Sequence, residues 1–158
     1  MFWEHNVEEI TLLNQFNLLL PEGRREVLDY LRYTLFKQYQ RELHAAVFSS
    51  QPLYNALVYI AKMCEREEAS VEDILAKVRQ VKFIFYQQYE KVHLKYASIL
   101  SELHIEDTLR DVGRLGFENI FQAAHSNRPN LIKKEVEELL EMFRKLANRK
   151  DRRRIMAV

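Results

Sequence analysis

The strongest hydrophobic pattern in this chain runs from Val71 to Leu103, a stretch that contains neither glycine nor proline. Its apolar positions include a seven-residue repeat formed by Val71, Val78, Phe85, Val92 and Ile99. That spacing predicts one long helix of about 33 residues, the fourth in the chain. At about 1.5 Å per residue it would be longer than a compact domain of this mass is wide. We therefore expect part of its apolar side to project or to be covered by a second copy of the chain.

Proline and polar clusters divide the first seventy residues into three further helices. The first ends at Leu20, because the residue before Pro21 avoids helical geometry. The second is long, reaches about Val47 and carries a stripe of leucine and tyrosine. The third, from about Leu53 to Glu67, has little polar surface on any side. We expect it to be buried between the second and fourth helices or against a second copy.

Ser70, with Asp73 three residues later, predicts the start of the fourth helix. After that helix, Gly113 and Gly116 predict a kink or a close contact between helices in a fifth apolar-periodic segment. A last helix begins near Leu131. The chain has only 3 Gly and 3 Pro, and no segment alternates apolar and polar residues as a half-buried strand does. The predicted fold class is all-α, a single-domain bundle of five or six helices over residues 1–148.

The net charge of +1 conceals a strongly basic C-terminal segment. Residues 144–154 hold seven Lys or Arg and one Asp, so the rest of the chain is acidic. We expect residues 149–158 to form a frayed basic tail. Two interpretations stay open: a solubilising helix end, or a contact surface for nucleic acid or another polyanion. The candidate anion or nucleic-acid contacts are Arg149, Lys150, Arg152, Arg153 and Arg154.

Tyrosine and phenylalanine are concentrated on the second, third and fourth helices. Their spacing places rings on more than one face, so they cannot all point into a single core. A ring at the edge of the core, with its hydroxyl in water, explains this pattern. An interface with another protein or with a second copy of the chain explains it as well. The candidate partner or dimer interface residues are Tyr54, Tyr59, Tyr86, Tyr89 and Tyr96.

Candidate catalytic and metal-binding chemistry is sparse. Glu90 and His93 have the spacing with which helical di-iron proteins hold metal, but those proteins use it twice and this chain has it once. The prediction is therefore a surface pair or a packed histidine, with no metal and no cofactor. Cys64, the single cysteine, is predicted to be a buried and unreactive thiol. The sequence has no nucleophile elbow, phosphate loop or paired-cysteine motif, so we expect no enzymatic activity.

These patterns favour a non-enzymatic interaction or regulatory protein that forms a homodimer and binds another macromolecule. A nucleic-acid-binding protein that uses the basic tail is the alternative, and a metal- or cofactor-binding bundle is the second alternative. The lone cysteine and the absence of a basic and apolar leader predict a cytoplasmic location. The longest segment without Asp, Glu, Lys or Arg, residues 43–61, contains polar side chains that are costly in lipid, so we expect no membrane span.

Overall fold

The all-α prediction is confirmed by the computed structural model of the chain, which describes the backbone of residues 2–103 and 108–156. Side chains are described for residues 6–103 and 110–147. Within these ranges there are six α-helices and no strand. The helices are α1 (Phe2–Leu18), α2 (Pro21–Leu43), α3 (Gln51–Cys64), α4 (Val71–Leu103), α5 (Thr108–Ala124) and α6 (Pro129–Met156). One π-helical turn, His44–Phe48, continues α2.

The helix boundaries follow local chemistry that the sequence displays. Leu20 is extended, with φ −66° and ψ 160°, and Pro21 occupies the first position of α2. Ser70 caps α4 as predicted, because its hydroxyl accepts a hydrogen bond of 3.2 Å from the backbone N–H of Asp73. The turn between α5 and α6 contains Asn127 at φ 55°, a left-handed conformation that asparagine tolerates better than most residues.

The body of the fold packs α3, α5, α6 and the first half of α4 around an aromatic centre. The ring of Phe85 on α4 is fully buried. Its centroid lies 6.2 Å from that of Phe48, 5.5 Å from that of Phe117 and 6.1 Å from that of Phe143. One buried ring therefore joins the π-helical turn, α5 and α6. Because α3 lies between α4 and α6, the expectation that it would lie between α2 and α4 is wrong.

The two glycines of α5 allow a close approach of helices and do not bend the helix. α5 is continuous from Thr108 to Ala124. A methyl group on Gly113 would overlap the ring of Phe85. A methyl group on Gly116 would lie 2.6 Å from Cδ1 of Leu139 on α6. α5 can therefore lie closer to Phe85 of α4 and to Leu139 of α6 than a side chain at either glycine would allow without displacing those two residues.

The second half of α4 leaves the body and pairs with α2. Arg32 contacts Glu102, Gln38 contacts Tyr96, and Tyr39 contacts Tyr89. Contacts that move forward along α2 thus move backward along α4, so the two helices are antiparallel. The apolar side of α4 is therefore covered in large part within the chain: Val78 and Phe85 are fully buried, and Val71, Val92 and Ile99 are half-buried. The helix is uninterrupted as predicted, and α2 supplies much of the cover for which a second copy was one of two expectations.

The N-terminal part of the fold extends beyond this bundle. Arg32 lies opposite Glu102, one residue before α4 ends. Residues 21–31 of α2 therefore reach roughly 16 Å past the end of α4, at 1.5 Å per residue. α1 follows at an elbow, and within the described residues it packs along no other helix. We call residues 2–31, which comprise α1 and the first three turns of α2, the N-terminal arm.

None of the helices in the described part of the chain combines the length and the apolar character needed to cross a bilayer.

Candidate interaction surfaces

The five candidate tyrosines are distributed over the fold and do not form one surface. Tyr89 and Tyr96 are only 2% and 3% exposed, because both lie between α4 and α2. The hydroxyls of Tyr39 and Tyr89 are 3.2 Å apart and share a hydrogen bond. We therefore place Tyr89 and Tyr96 in the core of this subunit and not at an interface.

Tyr96 belongs to a polar network at the edge of that core. Its hydroxyl donates to Oε1 of Glu42 at 2.7 Å and accepts from Nε2 of Gln38 at 2.9 Å. Lys95 donates to the same Glu42 carboxylate at 3.0 Å. The hydrogen bond from Tyr96, followed by that from Lys95, lowers the pKa of Glu42, whereas burial raises the pKa of Tyr96. The network holds α2 against α4 at a fixed register.

Tyr54 and Tyr86 are half-buried and are also used within the chain. Nε of Arg144 on α6 donates to the Tyr54 hydroxyl at 2.9 Å, and the guanidinium carbon lies 5.6 Å from the centre of the Tyr54 ring. Tyr86 faces α5, where its ring centroid is 6.5 Å from that of Phe117. Burial raises the pKa of the Tyr86 phenol. These two rings stabilise contacts of α3 with α6 and of α4 with α5.

Tyr59 is the candidate tyrosine whose ring is largely available, with 46% of the residue exposed. It lies beside a shallow groove of about 200 Å³ between α3 and α4. Ala56 and Ile84 form the apolar part of this groove, and Lys77 and Gln80 form its polar edge. The groove is too small and open to enclose a ligand of ordinary size.

The Glu90 and His93 pair does not form a metal site in the described structure. Glu90 is exposed, whereas the ring of His93 stacks on Tyr89 at 5.8 Å and meets Tyr39 edge-on at 6.4 Å. Among the residues whose side chains are described, no three His, Cys, Asp or Glu groups converge in a way that could hold a metal ion. His93 is thus a packed aromatic residue of the interface between α2 and α4.

Cys64 is buried at the end of α3, as its position on the apolar stripe predicts. Burial raises the pKa of its thiol, and the charge of Lys133 opposes this effect only in part. Nζ of Lys133 is already paired at 2.8 Å with Oε1 of Glu65. The site therefore disfavours the thiolate that nucleophilic chemistry requires.

The basic C-terminal candidates lie beyond the part of the chain for which side chains are described. These residues are Arg149, Lys150, Arg152, Arg153 and Arg154. The backbone of α6 continues as a helix to Met156. Among the described side chains of α6, Phe143 is the last that is fully buried, and Leu146 packs against the edge of the core.

The largest apolar surface in the described residues is on the N-terminal arm, which the sequence patterns did not single out. Eleven large apolar side chains of residues 6–31 are between 36% and 84% exposed, against seven scattered over all the other described residues. The eleven are Val7, Ile10, Leu12, Leu13, Leu18, Leu19, Leu20, Val27, Leu28, Tyr30 and Leu31. Single exposed apolar residues are ordinary, but this concentration of them in α1 and the start of α2 favours a contact surface.

A sequence signal for this surface exists in α1. Its apolar residues do not fall on a single stripe: Ile10 and Leu13 lie on one side of the helix, and Leu12 lies on another. A helix that is apolar on several sides is normally surrounded by other helices. In this chain α1 has no such neighbours within the described residues.

Comparison of the chain with protein-family models, with curated proteins and with solved structures gave no match. The functional argument therefore depends on the surfaces described above.

Proposed function

We propose that this protein is a non-enzymatic interaction or regulatory protein that self-associates and binds a macromolecular partner through elements projecting from its helical body. The N-terminal arm carries this proposal, because it concentrates eleven exposed apolar side chains in residues 6–31. Leaving such a surface in water costs about 25 cal/mol for each Å². A protein that keeps it exposed as a monomer gains nothing from it, whereas a protein that docks another chain there gains binding energy.

The body of the molecule supports the same proposal. Most of its aromatic residues pack inside the body around Phe85 or belong to the hydrogen-bond network at Tyr96 and Glu42. Because α2 runs continuously from this body into the arm, the body fixes the direction of the first turns of α2, which reduces the entropy lost on binding. Tyr59 and its groove between α3 and α4 offer a second and smaller contact surface.

Affinity capture from the native host tests the proposal. The bait is the full chain, compared with a variant that carries Leu13→Gln, Val27→Gln and Leu31→Gln on the arm. A matched control carries Phe83→Gln and Leu94→Gln, which are 68% and 73% exposed on α4 outside the arm. We expect a stoichiometric partner, either another protein or a second copy, that the control retains and the arm variant loses. Equal recovery with all three baits would contradict a role for the arm.

The alternative, nucleic-acid binding, is favoured by one specific observation. Seven Lys or Arg occur in residues 144–154, and helical backbone continues through most of that segment to Met156. A cationic helix end releases counterions when it meets a polyanion, so binding should weaken steeply as salt rises. Truncation after Asn148 should remove most of this affinity and lower its salt dependence. Unchanged binding by the truncated protein would eliminate this alternative.

A further inference from the structure

The apolar surface of the N-terminal arm is large enough for a contact between two copies of the chain, and this inference rests on the proposed function and adds the identity of the docked chain. Burial of one aliphatic side chain gains about 1.5 to 3 kcal/mol, which at about 25 cal/mol for each Å² corresponds to about 60 to 120 Å² removed from water. The eleven partly exposed residues of the arm therefore offer roughly 400 to 800 Å². A standard interface buries about 800 Å² on each partner, of which about two thirds is apolar in homodimers.

Within the described residues, no other helix of the chain covers α1. α1 is a helix of 17 residues, about 25 Å long. Where α1 meets α2, Nη2 of Arg24 donates to the backbone carbonyl of Asn17 at 2.7 Å, and its guanidinium carbon lies 5.8 Å from the centre of the Phe16 ring. Isolated helices of this length are marginal in water and gain their stability from a packed apolar face.

The N-terminal arm is acidic. α1 carries Glu8 and Glu9 and has no Lys or Arg. The first three turns of α2 add three acidic side chains against two arginines. Docking of two arms is therefore driven by their apolar side chains and opposed by their like charges, so self-association should strengthen as salt rises.

We propose that the N-terminal arm docks against the arm of a second copy of this chain, with α1 of each copy packed along α2 of the other about a two-fold axis. The contact buries Ile10, Leu13 and Leu31. The reciprocal arrangement surrounds α1 with helices, as its apolar residues on several sides require. The two helical bodies then point away from a shared N-terminal junction.

Sedimentation of the full chain over a wide concentration range tests the arm contact. Each substitution acts twice in a symmetric dimer, so Leu13→Glu should weaken self-association roughly 100-fold or more. The matched control is Leu94→Glu, an equally exposed leucine of α4, which should associate as the wild type does. Circular dichroism of each variant confirms that the body stays folded, and both positions are exposed in one chain.

The results separate this inference from the proposed function. A dimer that Leu13→Glu leaves intact would overturn the arm contact and leave self-association standing through another surface. A wild type that is monomeric at all concentrations would also overturn it. In that case capture of a different protein by the arm would still support the proposed function, and its absence would contradict both.

Discussion

The guanidinium of Arg32 contacts the carboxylate of Glu102 at 3.0 Å, and this contact lies where α2 passes the end of α4. Both side chains are substantially exposed, so the pair contributes little stability. Its importance is positional. On one side of it α2 is packed against α4, and on the other side the arm has no neighbour from its own chain in the described residues. α2 is thus one continuous helix whose first turns belong to the projecting N-terminal arm and whose later turns belong to the packed body.

Replacing Gly113 by alanine should destabilise the body, because the added methyl group would overlap the fully buried Phe85 ring. The gain in helix propensity offsets part of this cost, and we expect a net loss of about 1 to 2 kcal/mol in the free energy of unfolding. Gly23→Ala is the matched control, since its methyl group would lie 3.4 Å from Cδ2 of Leu19, in ordinary contact. It should be neutral or stabilising by up to about 1 kcal/mol. Urea denaturation measures both, and a Gly113→Ala variant as stable as the wild type would refute the close helix contact.

The hydrogen bond from Tyr96 to Glu42 should couple α2 to α4. Removing the hydroxyl with Tyr96→Phe should lower the free energy of unfolding by about 1 kcal/mol. Tyr33→Phe, at an exposed ring, should have no measurable effect. A double-mutant cycle with Glu42→Gln should give a coupling energy that differs clearly from zero, and additivity of the two substitutions would contradict the pairing.

Acid should destabilise the fold through Glu42 and Glu65. Hydrogen bonds from Tyr96 to Glu42, and from Lys133 to Glu65, lower the pKa of each carboxyl below its ordinary value of 4.5. The ionised forms therefore favour the folded state above that value, and their contribution is lost as pH falls through the lowered pKa. Converting either residue to glutamine should reduce the difference in stability between pH 7 and pH 3.

Glu67→Gln provides the control for this acid effect, because Glu67 is exposed and has no ion pair in the described structure. It should leave the pH dependence of unfolding unchanged. If all three glutamine variants lose stability in parallel with the wild type on acidification, the assignment to Glu42 and Glu65 is wrong.

The thiol of Cys64 should be unreactive in the folded protein. It is buried, and burial raises its pKa, so little thiolate is present or accessible at pH 8. Modification by an aromatic disulfide reagent should be at least ten times slower than in the urea-unfolded chain, where one equivalent should react at once. Rapid reaction in native buffer would show that the end of α3 opens or is packed differently.

The sequence predicted elements whose signals are local. Pro21 and Ser70 identify the starts of α2 and α4 through their own backbone chemistry, and the apolar repeat from Val71 to Ile99 identifies one uninterrupted helix. The position of Cys64 on an apolar stripe predicted its burial correctly. In each case the prediction was based on the same residues that form the helix start, the helix or the buried stripe.

The sequence could not reveal which apolar faces would be covered. Leu28 and Leu31 continue the same stripe as Leu35, yet Leu35 packs against the core whereas the other two are 37% and 49% exposed. The difference arises because α4 ends beside Arg32, and that register joins segments seventy residues apart. The same register buries Tyr89 and Tyr96. The spacing of these two residues along the sequence is equally compatible with a position at an interface.

Hydrogen exchange of the backbone amides in α1, measured as a function of protein concentration, tests the arm contact most directly. A helix of 17 residues without neighbours opens readily, whereas one packed against a second copy is protected in proportion to the dimer fraction. We predict that protection of residues 6–18 rises with concentration over the range in which the chain dimerises, while protection of α4 around Phe85 does not change. Exchange in α1 that is equally fast at every concentration would contradict docking of the arm on a second copy.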